Sequence, residues 1–210
     1  MQIPKAFRAR DAAEAAQMKR AEMTAMLERA ALEQALVDAE ARDPEGPEVA
    51  AALSALGRFL FATGDIDQAG RMFERAILLY ARFLEPGHEA LAAPLADLGM
   101  VRALDAPLEA APLLRRALAI DEQALDAQHP RVGERLSALG MVLYDLGEAA
   151  SARPLLERAL AICEEHEGPR GPGVATTLAN LALIRRALGE AAEAEAILSR
   201  ALAITGAGFG

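Results

Sequence analysis

Four stretches of the chain are versions of one string. "LSALGRFLFATGDIDQAGRMFERAILL" begins at Leu53, "LADLGMVRALDAPLEAAPLLRRALAI" at Leu95, "LSALGMVLYDLGEAASARPLLERALAI" at Leu136 and "LANLALIRRALGEAAEAEAILSRALAI" at Leu178. The small residue after each leucine pair is Gly57, Gly99, Gly140 or Ala182, at spacings of 42, 41 and 42. The alanine of each RA(L/I) is Ala76, Ala117, Ala159 or Ala201, at spacings of 41, 42 and 42. Two independent markers that keep one period of this size indicate a stacked repeat. One such repeat cannot bury its apolar faces alone, but a stack can.

Within a repeat the period is helical. Leu136, Leu139, Leu143 and Leu146 fall on one helix face, "DLGE" breaks the pattern, and a second apolar run follows through Ala152, Leu155, Leu156, Ala159, Leu160 and Ile162. Gly147 can supply the positive φ that ends the first helix. Each repeat therefore reads as helix, tight turn, helix. Repeats join at "EPGHE", "DAQHP" and "EGPRGPG", where proline suits a first helical turn and disfavours helix just before it. Gly57, Gly99, Gly140 and Ala182 on the first helices, with Ala69, Ala110, Ala152 and Ala194 on the second, let the two axes approach closely.

The pattern "L-x-x-L-G", then a small alanine on the second helix, then "RAL", resembles the tetratricopeptide repeat. The 42-residue period, with His or Pro at the junctions, resembles its longer variant in kinesin light chains and many bacterial proteins. The resemblance implies an all-α fold, a right-handed α-solenoid of four helix-turn-helix repeats plus an N-terminal capping helix. The repeats are expected over residues 46–87, 88–128, 129–170 and 171–204, with a flexible tail over 205–210. Two features depart from the pattern. The second repeat is one residue short near "ALDAP", and Arg102 and Arg185 stand where Leu60 and Leu143 stand elsewhere.

Residues 1–45 precede the first repeat. The stretch 5–41 has no Gly or Pro and reads as helix throughout. "MLERAALEQALVDAEARDPEGPEV" resembles "LLERALAICEEHEGPRGPGV", so residues 22–41 are expected to act as an orphan second helix. Met26, Leu27, Ala30 and Val37 would then pack near Leu53 and Leu56, and residues 5–20 would project.

Composition excludes several classes. The net charge is −9 with no Lys/Arg cluster, which argues against nucleic acid and anionic membrane surfaces. No apolar run is long enough to span a bilayer, and the basic start has no hydrophobic stretch behind it, so a cytoplasmic compartment is expected. Only Lys5 and Lys19 stand against 20 arginines in an alanine-rich chain, which points to a GC-rich, bacterial genome. Cys163 is the sole cysteine, so no intrachain disulfide can form.

No catalytic residue, cofactor or metal is expected. His88 and His129 occupy equivalent junctions and read as helix-entry residues. Cys163 and His166, one turn apart, supply at most half a zinc site. "GPRGPG" lacks the Lys and Ser/Thr of a nucleotide loop and reads as a junction. No nucleophile, base and orienter can be assembled, so the chain is not expected to be an enzyme.

Each first helix keeps a second stripe beside its core residues: Ala51, Ser54, Arg58, Phe61; Ala93, Ala96, Met100, Ala103; Glu134, Ser137, Met141, Tyr144; Thr176, Ala179, Leu183, Arg186. In tetratricopeptide arrays the first helices line a concave groove for peptides or helices. The resemblance thus implies a groove with Met100, Met141 and Leu183 at its centre. Phe61 and Tyr144 lie toward its edge, Asp97, Glu134, Asp145, Arg58 and Arg186 form a polar rim, and Ser137 and Asn180 are further groove residues. Of the places that clamp a peptide carboxylate in some family members, only Arg58 and Asn180 suit, so that activity is not carried over. The leading expectation is a protein–protein adaptor that takes a peptide or amphipathic helix in an apolar groove. The alternative is an assembly module that self-associates through its terminal helices, because Ile197, Leu198, Leu202 and Ile204 cannot all be buried by the last repeat.

Overall fold

The computed structural model describes residues 5–206, with side chains from residue 17 onward. Among these residues nine α-helices and one 3-10 turn follow in order, with no strand. They are α1 (Lys5–Arg42), α2 (Pro47–Ala62), α3 (Ile66–Phe83), the 3-10 turn Glu89–Leu91, α4 (Ala92–Ala103), α5 (Pro107–Ala124), α6 (Pro130–Asp145), α7 (Ala149–Glu167), α8 (Pro172–Ala187) and α9 (Ala191–Gly206). The eight helices expected over the repeats are α2 to α9. Thr205 and Gly206, expected in a flexible tail, continue α9; the rest of that tail and the side chain of Phe7 lie outside the described residues. The chain divides into two compact units, residues 1–79 and 80–210, with the divide inside α3.

In the first unit, α2 begins with Pro47 in its first turn, where the missing N–H costs nothing. Gly57 faces the buried ring of Phe73, and a Cβ at Gly57 would stand 2.6 Å from that ring. α2 ends at Gly64, whose φ of +89° few other residues tolerate. The Gly64 and Asp65 amides donate to the carbonyls of Phe61 and Leu60 at 3.1 and 2.8 Å, which closes the helix end.

α1 packs against α2, but not through the expected residues. Leu32 and Leu36 are half-buried and Ala39 is buried, whereas Met26, Leu27, Ala30 and Val37 are exposed. Glu40 accepts from Arg75 of α3 at 2.6 Å, as Glu164 of α7 accepts from Arg200 of α9 at 2.5 Å. That pairing aligns Leu32-x-x-Ala35-Leu36 with Leu156-x-x-Ala159-Leu160. The true register lies five residues beyond Leu27-x-x-Ala30. Five residues turn a helix by about 140°, which carries Met26 and Leu27 to the opposite side. In this register Ala35 is exposed where Ala159 is buried.

In the second unit, α4 pairs with α5, α6 with α7 and α8 with α9, while α5 packs on α6 and α7 on α8. Leu95, Leu114, Leu136, Leu156 and Leu178 are fully buried. A Cβ at Gly99 would come within 2.8 Å of Leu114, and one at Gly140 within 3.0 Å of Leu156, so the small residues do set a close approach. Gly147 and Gly189 end α6 and α8 with φ of +79° and +82°. The second repeat has Asp105 at that turn and closes it without a positive φ, with Ala106 N–H donating to Arg102 at 2.7 Å; this is the repeat shortened by one residue.

The arginine of RA(L/I) ties successive repeats together. Arg116 donates to the Pro86 carbonyl at 3.1 Å, Arg158 to Glu122 and to the Ala127 carbonyl, and Arg200 to Glu164 and the Pro169 carbonyl. Between α5 and α6, Asp121 is 1% exposed and is held by Arg131 at 2.8 Å and Arg135 at 3.1 Å. Arg185, in a leucine's place, is half-buried and bridges Glu157 and Glu190 at 2.8 and 2.9 Å, with Arg153 on Glu190 at 3.0 Å. Exposed pairs add at most about 1 kcal/mol each, so burial of the leucines dominates and the ion pairs set register.

Candidate functional site

The residues with chemical potential are engaged in structure. His88 Nδ1 accepts from the Ala90 amide at 3.2 Å and His129 Nδ1 from the Arg131 amide at 3.1 Å. Both histidines cap helical turns at repeat junctions, the role expected of them. His166 Nε2 lies 2.7 Å from the Gln128 carbonyl, while Cys163 Sγ lies 3.8 Å from Thr177 Oγ1. The two therefore face different partners, and among the described residues no group of three or more His, Cys, Asp or Glu is placed to hold a metal ion. Burial pushes the Cys163 thiol up, with the Thr177 hydrogen bond opposing it. In "GPRGPG", the Glu167 carboxylate accepts from the Gly173 amide at 2.7 Å and fills the space against Gly171 and Gly173. The start of α8 is thus occupied by the chain's own carboxylate.

Of the eleven expected groove residues none is buried. Arg58, Met100, Glu134 and Arg186 are exposed, and Phe61, Asp97, Ser137, Met141, Tyr144, Asn180 and Leu183 are half-buried. Their core neighbours Leu98, Leu139 and Leu181 are buried. Arg58 and Phe61 belong to α2 in the first unit; the other nine lie on α4, α6 and α8 in the second.

Fourteen of the stripe's sixteen positions are exposed or half-buried. Ser54 and Ala96 lie on it, yet both are buried, and the Ser54 hydroxyl donates to the Ala50 carbonyl at 2.9 Å. In the second unit α4 touches α6 and α6 touches α8. The face left to solvent runs through Ala93, Asp97 and Met100 on α4, Glu134, Ala138 and Met141 on α6, and Thr176, Asn180 and Leu183 on α8.

Two adjoining clefts of about 650 and 220 Å³ open where α8 meets α9. Asn180 lines the first, with Arg170, Thr176 and Leu202; Leu183 and Arg186 line the second, with Glu195; Leu198 and Ala179 line both. Leu198 and Leu202 are 44% and 62% exposed, although of the equivalent residues of α7 Leu156 is fully buried and Leu160 packs against the cluster that holds Val174 and Leu178 of α8. The sequence marked these two leucines as uncovered but not as neighbours of Asn180 and Leu183.

The model of the tetratricopeptide repeat matches residues 48–123, 102–165 and 133–206. The chain belongs to the tetratricopeptide repeat family. Its fold is similar to a putative kinesin light chain of Podosopora anserina with nearly identical TPR-like repeats, at 24% identity over 97% of each chain and a TM-score of 0.73. It is also similar to BtubC (BKLC) from P. vanneervenii, at 25% identity over 93% of this chain and 78% of that one, with a TM-score of 0.79. A third similar structure is YrrB, described as a TPR protein with an unusual peptide-binding site. Its identity is 23% over 82% and 77% of the two chains, and its TM-score is 0.58. No curated protein sequence matches the chain. Proteins of this family generally mediate protein–protein interactions as non-enzymatic scaffolds. Among the described residues no helix is long and apolar enough to cross a membrane.

Proposed function

We propose that the chain is an adaptor that holds a peptide or amphipathic helix against its first helices. One observation carries the reading: Met100, Met141 and Leu183 occupy the same position on α4, α6 and α8, and each keeps part of its side chain in water. A folded protein gains by burying such groups. Methionine is unbranched and adapts to irregular partner surfaces. Asp97, Glu134 and Asn180 lie beside them and would orient the ligand through hydrogen bonds. Ser137, Tyr144 and Arg186 stand at the edge of this face; in the first unit, taken by itself, Arg58 and Phe61 hold the equivalent places on α2 and are proposed as ligand contacts there. YrrB, a TPR protein with an unusual peptide-binding site, is consistent with this use of the fold.

The test is selection of a displayed peptide library on the full chain, followed by affinity measurement against Met100→Glu and Met141→Glu. Selected ligands should be apolar or amphipathic, and both substitutions should weaken them at least about tenfold, which is about 1.4 kcal/mol. Ligands that bind both variants at wild-type affinity would overturn the proposal.

A further inference from the structure

α1 carries apolar side chains on two opposite faces. Leu32, Leu36 and Ala39 turn inward. Met23, Met26, Leu27, Ala30 and Val37 form the outer stripe, in which Met26 and Leu27 are 67% and 65% exposed. In the register set by Glu40 and Glu164, Met26, Leu27, Ala30 and Val37 correspond to Ala150, Ser151, Pro154 and Ala161 of α7. Those α7 residues are exposed and small or polar. Nothing in repeat packing asks for large apolar groups there.

The charge on α1 is divided along its length. Residues 5–20 contain five basic and two acidic residues, and residues 21–42 contain five acidic and two basic ones. The helix therefore starts basic and ends acidic, opposite to what its dipole favours. The first turn has no acidic residue. The geometry points to a second copy of this chain as the occupant of the outer stripe, with the two α1 helices paired antiparallel. That arrangement sets Lys19 and Arg20 of each helix beside Glu33 of the other and opposes their dipoles. A parallel pair would juxtapose like charges. The stripe suits a two-fold axis near Met26 and Leu27, which places Met23 opposite Ala30 of the other copy. Such an interface is self-complementary and closes at two chains. It uses none of the first-helix residues of the proposed peptide site, so either proposal can fail without the other.

Sedimentation equilibrium of the full chain across concentrations tests the pairing. The wild-type chain should reach a dimer. The double variant Met26→Glu, Leu27→Glu should dissociate about 100-fold more readily, because each charge would be forced into an apolar contact. At a concentration where both proteins are monomeric its melting temperature should match the wild type, since both side chains are exposed in the single chain. Spin labels at Gln17→Cys and Asp38→Cys, in a Cys163→Ser background, report orientation. The 17-to-38 distance between chains should be shorter than the 17-to-17 and 38-to-38 distances. A monomer at every concentration, a dimer indifferent to the double substitution, or a short 17-to-17 distance would each overturn the proposal.

Discussion

Arg75 of α3 donates to Glu40 of α1 at 2.6 Å, the link that Arg200 of α9 makes to Glu164 of α7. An N-terminal helix outside the repeat pattern thus enters the same ladder as the repeats. Its working register is Leu32, Leu36, Ala39. Leu36→Glu should therefore lower stability by about 2 kcal/mol, because it takes a charge into the α1–α2 contact. Leu27→Glu, at concentrations where the chain is monomeric, should change it by less than about 0.5 kcal/mol. Urea denaturation of the two variants checks this, and equal losses would return α1 to the register first read from the sequence.

Gly57 and Gly140 stand at the same place in two repeats but with different clearance. A Cβ at Gly57 meets the enclosed Phe73 ring at 2.6 Å, whereas at Gly140 it meets Leu156 at 3.0 Å. Overpacking costs about 1–3 kcal/mol, against about 1 kcal/mol gained by placing alanine in a helix interior. Gly57→Ala should lose about 1–2 kcal/mol, and Gly140→Ala should stay within about 1 kcal/mol of wild type. Thermal melts of the pair provide the measurement.

Asp121 is a carboxylate enclosed by two arginines. Asp121→Ala leaves Arg135 partly buried without its partner and should cost about 3–5 kcal/mol. Asp121→Asn keeps the shape and one acceptor oxygen, and should cost less. Denaturation of both variants decides whether charge or shape holds the α5–α6 seam.

Burial raises the Cys163 thiol above its ordinary value. Between that value and the raised one, the folded chain keeps a proton that the unfolded chain has lost. Stability from this group is therefore complete below the ordinary thiol range, declines as pH rises through it, and levels off above the folded value. Wild type should lose more stability than Cys163→Ser on moving from pH 8 to pH 10. Alkylation at pH 8 should also be much slower in the native protein than in urea.

Much of this was legible in the sequence because the constraint repeats. Gly57, Gly99 and Gly140 recur at a fixed period, and each indeed faces a large side chain of the partner helix. His88 and His129 were marked by junction position, and both cap helical turns. The N-terminal register was misread because "LERAALEQAL" holds the Leu-x-x-Ala pattern twice, and local pattern alone cannot choose between two faces of one helix. Ser54 and Ala96 fit the stripe by spacing yet are buried, because small, mildly polar or apolar residues are equally at home in a buried contact and on a surface. The Asp121 cluster gave no signal at all, since its equivalents are Ala39, Tyr80, Cys163 and Thr205.

The central claim is that the first helices divide into a buried face and a docking face, and Leu139 and Met141 separate the two. Leu139 is buried and Met141, two residues on, is half-exposed. The most direct measurement is the affinity of a library-selected peptide for Met141→Glu, taken with melting curves of Met141→Glu and Leu139→Glu. The account predicts that Met141→Glu loses the peptide and melts close to wild type, while Leu139→Glu disrupts its repeat by burying an unpaired charge. Undiminished peptide binding by Met141→Glu, or unfolding of Met141→Glu as severe as that of Leu139→Glu, would contradict it.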